Sequence, residues 1–430
     1  MTVMIPLGGI GSRFQKEGYT KPKPFVSVLG KPMILWVLDS LKLGPKDALV
    51  VVYNPAWMSP KFWTPVLAKY PNLQLVELPG ATRGAAETVL IGLHGLPKSL
   101  RSQPVMLVDG DCFYDEDIVS QYRAIASRSN GVFFFVDTQP KPIYSYIVFD
   151  PSTKRITQVK EKVKISDHAN TGCYCFSSGS ELMAQCQALL DAGATQTGNL
   201  STHTVGEYYT SGVIAAMIEE GATFTSLQID PKRMHVLGTP TQLIDWSKAQ
   251  VKAPACRVCF DLDCTLLAPP TDPTDLSTCE PIPDAVAVAK ALFEQGHTII
   301  LYTERGIAER NGNVGAAVAD VAGVTIATLK ACGILYHELH FGKPSADFYI
   351  DDKAVLSTTE LYKEVGHYPG SNYKATAPAA SSSATPPPPA SAAASPPPPP
   401  PRGTSWSLLL FATLLGAAGG AAIVTLKAKK

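Results

Sequence analysis

Ile5-Pro6-Leu7-Gly8-Gly9-Ile10-Gly11-Ser12-Arg13-Phe14 reads as an apolar strand that runs straight into a glycine loop ending on a cation. Glycines let a backbone wrap closely around phosphates with its N–H groups aimed at the oxygens, and Arg13 suits a triphosphate. Dinucleotide folds and plain turns share glycine loops. This one lacks the GxGxxG spacing and continues into Lys21-Pro22-Lys23-Pro24-Phe25 and Gly30-Lys31-Pro32-Met33. Outward from it, apolar runs such as Ala48–Tyr53, Gln103–Val108 and Gly131–Asp137 alternate with helical stretches to about residue 250, the pattern of βαβ units.

The extended pattern resembles the sugar-phosphate nucleotidyltransferase family, whose signature is GGxG(S/T)R followed by KP and GKPM. The resemblance covers most of residues 1–245. Thr82-Arg83-Gly84-Ala85-Ala86-Glu87 is similar to the family's base-recognition stretch, and Asp109-Gly110-Asp111 stands where the family places its metal-binding aspartate. Val159-Lys160-Glu161-Lys162 and Asn170-Thr171-Gly172 resemble its acceptor-contacting segments.

The resemblance implies that Leu7, Gly8, Gly9, Gly11, Ser12, Arg13, Lys23, Thr82, Gly84 and Asp109 bind the nucleotide. Glu161, Lys162, Asn170 and Thr171 would bind the acceptor, and Asp109 and Asp111 would hold Mg2+. An acceptor phosphate would attack the α-phosphorus and expel pyrophosphate. Both reactants are anions, so catalysis is mainly positioning and charge neutralisation, with Arg13 and Lys23 as the catalytic cations. Singly, such lysines are more often solvated surface, and Asp-Gly-Asp is an acidic turn or a glycosyltransferase D-x-D; the ordered co-occurrence favours the site. One residue departs from the family. The acid expected before the Gly238-Thr239-Pro240 turn is Val236, so the metal rests on Asp109 and Asp111, or the domain is impaired, or its acceptor is unusual.

A second α/β unit begins after Lys252–Pro254, read as a turn. Phe260-Asp261-Leu262-Asp263-Cys264-Thr265-Leu266 follows the strand Arg257–Cys259. Residues i and i+2 of an extended chain point the same way, so both acids reach one phosphoryl group; a solvated turn or a calcium loop shares the spacing. Thr303 ends the strand Ile299–Tyr302, Lys343 lies in Phe341-Gly342-Lys343-Pro344, and Asp351-Asp352 closes the strand Phe348–Ile350. This order resembles haloacid-dehalogenase-type phosphatases. Asn311–Gly315 and Lys343–Asp352 are similar to a subgroup, the capsular-biosynthesis phosphatases, which carries Ala-Arg-Arg where Glu304-Arg305 stand here. The resemblance implies that Asp261 is the nucleophile forming an aspartyl-phosphate and that Asp263 is the acid and then the base. Thr303 and Lys343 would hold phosphoryl oxygens, with Mg2+ on Asp261, Asp263, Asp351 and Asp352.

Lys+Arg and Asp+Glu balance at 37 each, which argues against a nucleic-acid binder. The odd count of 9 cysteines resists a disulfide framework, and Cys256 and Cys259 read as buried strand residues. Ala, Ser, Thr and Pro runs from Lys374 to Gly403 cannot bury enough apolar surface to fold. Trp406–Leu426 carries no charge and precedes Lys427, Lys429 and Lys430. At roughly 1.5 Å per residue it crosses the ~30 Å hydrocarbon core, and Gly416 with Gly420 hints at helix pairing and a dimer.

The expected architecture is α/β. A Rossmann-like nucleotidyltransferase domain spans 1–250, and a second Rossmannoid, haloacid-dehalogenase-like domain spans 255–368. A disordered Pro-rich linker (369–404) and one transmembrane helix (405–426) follow, with the catalytic domains in the cytosol. The expected function is bifunctional: nucleotidyl transfer from an NTP to a phosphorylated acceptor, preferentially a sugar 1-phosphate, plus hydrolysis of a phosphate ester. The alternatives are a phosphocholine- or phosphonate-type cytidylyltransferase with phosphatase, and a phosphatase carrying a non-catalytic transferase-like module.

Overall fold

Thr2–Leu7 is buried at every residue but Pro6, the signature of a strand covered on both faces. Alternation divides its side chains: Val3, Ile5 and Leu7 enter one core and Met4 the other. Parallel neighbours Ala48–Tyr53 and Val105–Val108 flank it, within a nine-stranded sheet. The main path runs Ile156–Glu161, Ser145–Phe149, His168–Phe176, Val105–Val108, Thr2–Leu7, Ala48–Tyr53, Gln74–Glu77. Asn130–Val136 pairs antiparallel with His168–Phe176 and carries Phe224–Gln228 in parallel on its other side. The computed structural model describes residues 1–195, 206–346, 354–355 and 361–376.

A second sheet of three parallel strands follows: Arg257–Asp261, Thr298–Thr303 and Glu338–Phe341. Pro283–Glu294 and Val314–Ala331 are its crossover helices, and Phe260, Leu262, Leu292, Ile299, Leu301 and Leu329 form its core. Val314–Ala331 is long and apolar enough to cross a membrane by length and composition. Ala317, Thr325, Thr328 and Leu329 are nevertheless buried along it. Met1–Pro378, with both sheets, is one compact unit.

Several expectations need adjustment. Lys252–Pro254 is a strand, paired in parallel with Lys374–Thr376, so residues assigned to the linker close a small sheet. Cys259 is exposed and Cys256 only half-buried. The alternation of Arg257–Asp261 explains the exposure, because Phe260 points to the core while Arg257 and Cys259 face outward. Asp351, Asp352, the strand Phe348–Ile350, the remainder of the linker and the anchor lie outside the described residues.

Candidate functional site

Parallel pairing of Thr2–Leu7 with Val105–Val108 brings two loops to one edge of the first sheet, at the carboxyl ends of the strands where α/β sheets bind ligands. Leu7, Gly9, Gly11, Ser12, Arg13, Lys23, Asp109 and Asp111 line a cavity of about 450 Å3. Gly8, Gly9, Thr82, Gly84 and Thr88 line another of about 530 Å3. Pro6, Gly9 and Glu207 line both, so the two adjoin. Gly84 (φ 153°) has a reason to be glycine: a Cβ there would lie 2.5 Å from the Tyr208 carbonyl oxygen. Ala86 N–H donates to that same oxygen at 3.0 Å, which closes the cavity wall.

Lys23 Nζ donates to Asp111 Oδ2 at 2.5 Å. Burial alone would raise the Asp111 carboxyl, but the Lys23 charge and hydrogen bond bring it below the usual carboxylate range. Asp109 opens into the cavity yet is crowded by protein. Desolvation, and then the Asp111 charge, raise its carboxyl. Two neighbouring acids, with one lysine salt-bridged to them among the described residues, make a hard-oxygen site that fits a divalent cation. Val236 pairs with Cys112 across a short antiparallel ladder and offers no carboxylate.

The four expected acceptor residues are absent from the described residues lining either cavity. Glu161 accepts from Ser211 at 2.7 Å, and Lys162 Nζ reaches Tyr209 Oη at 2.7 Å. Asn170 and Thr171 are buried. Asn170 Nδ2 donates to Ser145 Oγ at 2.6 Å, and its Oδ1 finds no hydrogen-bond partner among the described residues. Glu207, Thr88 and Tyr208 enter the site without any motif that could have announced them.

In the second sheet the three strand ends converge. Asp261 closes the first strand, where Lys343 Nζ donates to its Oδ1 at 2.8 Å and Thr265 Oγ1 to its Oδ2 at 3.5 Å. Asp263 is held by a residue the motif reading treated only as a departure. Arg305 donates from Nε and Nη2 to its two oxygens at 2.9 and 2.6 Å, a fork that fixes the carboxylate plane. Arg305 is 6% exposed. The Thr303 hydroxyl donates to Asp263 Oδ2 at 3.4 Å.

A third cluster lies between the sheets, where donor atoms of Cys256, His297 and His367 come within 4.8 Å of one another. The Cys256 backbone N–H donates to His297 Nδ1 at 3.1 Å, so ligation through Nε2 would require an imidazolate. One neutral assignment satisfies the remaining atoms. His367 Nδ1–H donates to Tyr373 Oη, whose hydroxyl donates to Gln295 Oε1 at 2.7 Å, and Cys256 Sγ faces His367 Nε2 at 3.9 Å. The network is a clamp that ties Cys256, His297, His367, Tyr373 and Gln295 together.

Residues 2–202 match the family model described as nucleotidyl transferase, and this stretch is a nucleotidyltransferase domain. The chain is 26% identical over 189 residues to the probable mannose-1-phosphate guanylyltransferase 2 of Arabidopsis thaliana, covering 40% of this chain and 50% of that protein. It is 28% identical over 153 residues to the ribitol-5-phosphate cytidylyltransferase of Vibrio parahaemolyticus, covering 34% and 60%. Among solved structures, the nucleoside-diphosphate-sugar pyrophosphorylase from Vibrio cholerae is similar at 20% identity and a TM-score of 0.47, covering 57% of this chain and 99% of that one. The chain spans about half the length of the Arabidopsis guanylyltransferases it matches.

Proposed function

We propose that the chain is a bifunctional enzyme: it transfers a nucleotidyl group from an NTP to a phosphorylated acceptor of the sugar-phosphate class, and it hydrolyses a phosphate ester. The convergence of the glycine loop, Arg13, Lys23 and the Asp109–Asp111 pair on one cleft supports the transfer. An acceptor phosphate oxygen bonds to the α-phosphorus, the bond from the α-phosphorus to its bridging oxygen breaks, and pyrophosphate leaves. Arg13 and Lys23 offset the charge on the phosphates. A magnesium ion held by Asp109 and Asp111 would add charge neutralisation at the same oxygens.

The convergence of Asp261, Lys343, Thr303 and the Arg305-held Asp263 supports the hydrolysis. An Asp261 oxygen attacks phosphorus, the ester P–O bond breaks, and Asp263 gives the leaving oxygen its proton. Water then attacks the aspartyl-phosphate, and Asp263 takes the proton back. Val236 in place of an acid favours testing acceptors beyond sugar 1-phosphates, including pentitol phosphates, phosphocholine and phosphonates. The reading includes a C-terminal membrane anchor with both sites on the cytosolic side, checked by protease protection on isolated membranes.

The deciding experiment measures pyrophosphate release by the whole chain across nucleotides and acceptors, beside hydrolysis of a generic phosphate ester. Release with no pair, while hydrolysis proceeds, overturns the transferase half.

A further inference from the structure

Lys23 projects onto Asp111 from a loop, residues 19–30, that is held from outside the first sheet. Its outer side is bonded to chain more than three hundred residues later. Thr20 Oγ1 donates to Glu364 Oε1 at 2.5 Å. Lys21 Nζ lies 3.1 Å from Glu364 Oε2 and donates to the Glu364 carbonyl at 3.1 Å. The Tyr19 and Tyr368 hydroxyls are 3.0 Å apart. Two main-chain bonds complete the seam, from Leu29 N–H to Gly366 O at 2.9 Å and from Gly30 N–H to Val365 O at 3.0 Å.

Burial gives this contact its weight. Glu364 is 8% exposed and Tyr368 2%. A carboxylate rarely sits that deep unless its partners are specific. The clamp closes the far end, because a Cβ at Gly30 would lie 2.4 Å from Cys256 Sγ and 3.3 Å from His367 Nε2. The loop is therefore gripped on both sides of Lys23, three residues after Thr20 and seven before Gly30.

We propose that residues 361–373 are a positioning element of the transferase site, with Glu364 as its anchor for the loop that carries Lys23. This rests on the transferase reading above. Among the described residues Glu364 is bonded to Thr20 and Lys21, outside the linings of both cavities, and it acts through them and the loop backbone. A displacement of about 1 Å in a charge-neutralising group costs on the order of 100-fold in rate, so small losses of grip become visible in turnover.

The test uses the whole chain with Glu364→Ala, Glu364→Gln, Lys21→Met and the milder Tyr368→Phe, each checked for folding by circular dichroism. Expected for Glu364→Ala is a fall of about 10- to 100-fold in kcat for pyrophosphate release. Glu364→Gln keeps an acceptor for Thr20 and recovers part of that loss. Lys21→Met added to Glu364→Ala costs little more, because the two share one interaction. Hydrogen exchange at the Leu29 and Gly30 amides is expected to quicken in Glu364→Ala and Tyr368→Phe. Unchanged exchange, or faster exchange with kcat intact, overturns the proposal. A wild-type chain that transfers no nucleotide sinks the activity reading alone; the exchange rates then decide whether the brace exists.

Discussion

Gly172→Ala isolates what the Asp109 side chain does. Gly172 sits at φ 83°, and a Cβ there would lie 2.2 Å from Asp109 Oδ2 and 2.6 Å from its Cγ. The left-handed backbone costs an alanine about 1 kcal/mol. Ordinary contact begins near 3.5 Å, so Asp109 must move by about 1 Å, which adds roughly 1–3 kcal/mol of overpacking. Asp109 cannot retreat freely with its backbone, since its N–H donates to the Gly172 carbonyl at 3.0 Å. The expected destabilisation is about 2–4 kcal/mol, read from urea midpoints. The expected loss in kcat/KM for pyrophosphate release is on the order of 100-fold. Gly221→Ala is the control, because Gly221 also has positive φ (96°) but a Cβ there meets nothing within 4 Å; it carries backbone strain without touching an acid. Retention of kcat/KM within about threefold in Gly172→Ala would refute the reasoning, as would an equal loss in Gly221→Ala.

Asp261→Asn is expected to lower phosphate-ester hydrolysis by at least about 1,000-fold and leave pyrophosphate release within about twofold; loss of both activities would mean that the two centres are not independent. Arg305→Met removes the fork on Asp263, which calls for slower hydrolysis and a destabilisation of about 1–3 kcal/mol by urea titration; unaltered hydrolysis would deny that the fork orients the acid. Burial holds His297 down to about 4 and, with the His297 ring beside it, His367 down to about 3. The unfolded chain takes up protons near the ordinary histidine value of 6.5 that the folded chain refuses. The stability these residues contribute is therefore complete above that value and is lost as pH falls through the window from 6.5 toward 4. The slope approaches about 1.4 kcal/mol per pH unit for each histidine. Urea midpoints that stay flat between pH 7 and 5 would show that the clamp protonates without cost.

The glycine loop and the Asp109–Asp111 pair of the first cleft were legible because they follow strands whose place is dictated by hydrophobicity. Val3–Leu7 and Val105–Val108 are apolar throughout, so they lie side by side in the middle of a sheet, and whatever follows each must meet at the same edge. The same logic placed Asp261 beside the strand that ends in Thr303. Arg305 escaped because a cation two residues past a strand reads as solvent-facing, and only its burial against Thr325 and Cys279 reveals an internal strut. Glu207 and Tyr208 reach the cleft through a backbone clamp with Arg83 and Ala86 that side-chain patterns do not encode. Glu364 is the extreme case: a polar residue in a five-residue helix carries no periodic signal, and its partner Thr20 lies 344 positions away. Composition divides the chain near residue 250, but the contacts do not. A fragment ending there would strip the Leu29 and Gly30 amides of their acceptors and Lys21 of its carboxylate, loosening the loop that aims Lys23. Silence from such a fragment would then report the missing brace and not the chemistry of the cleft, which is why transfer has to be measured on the whole chain.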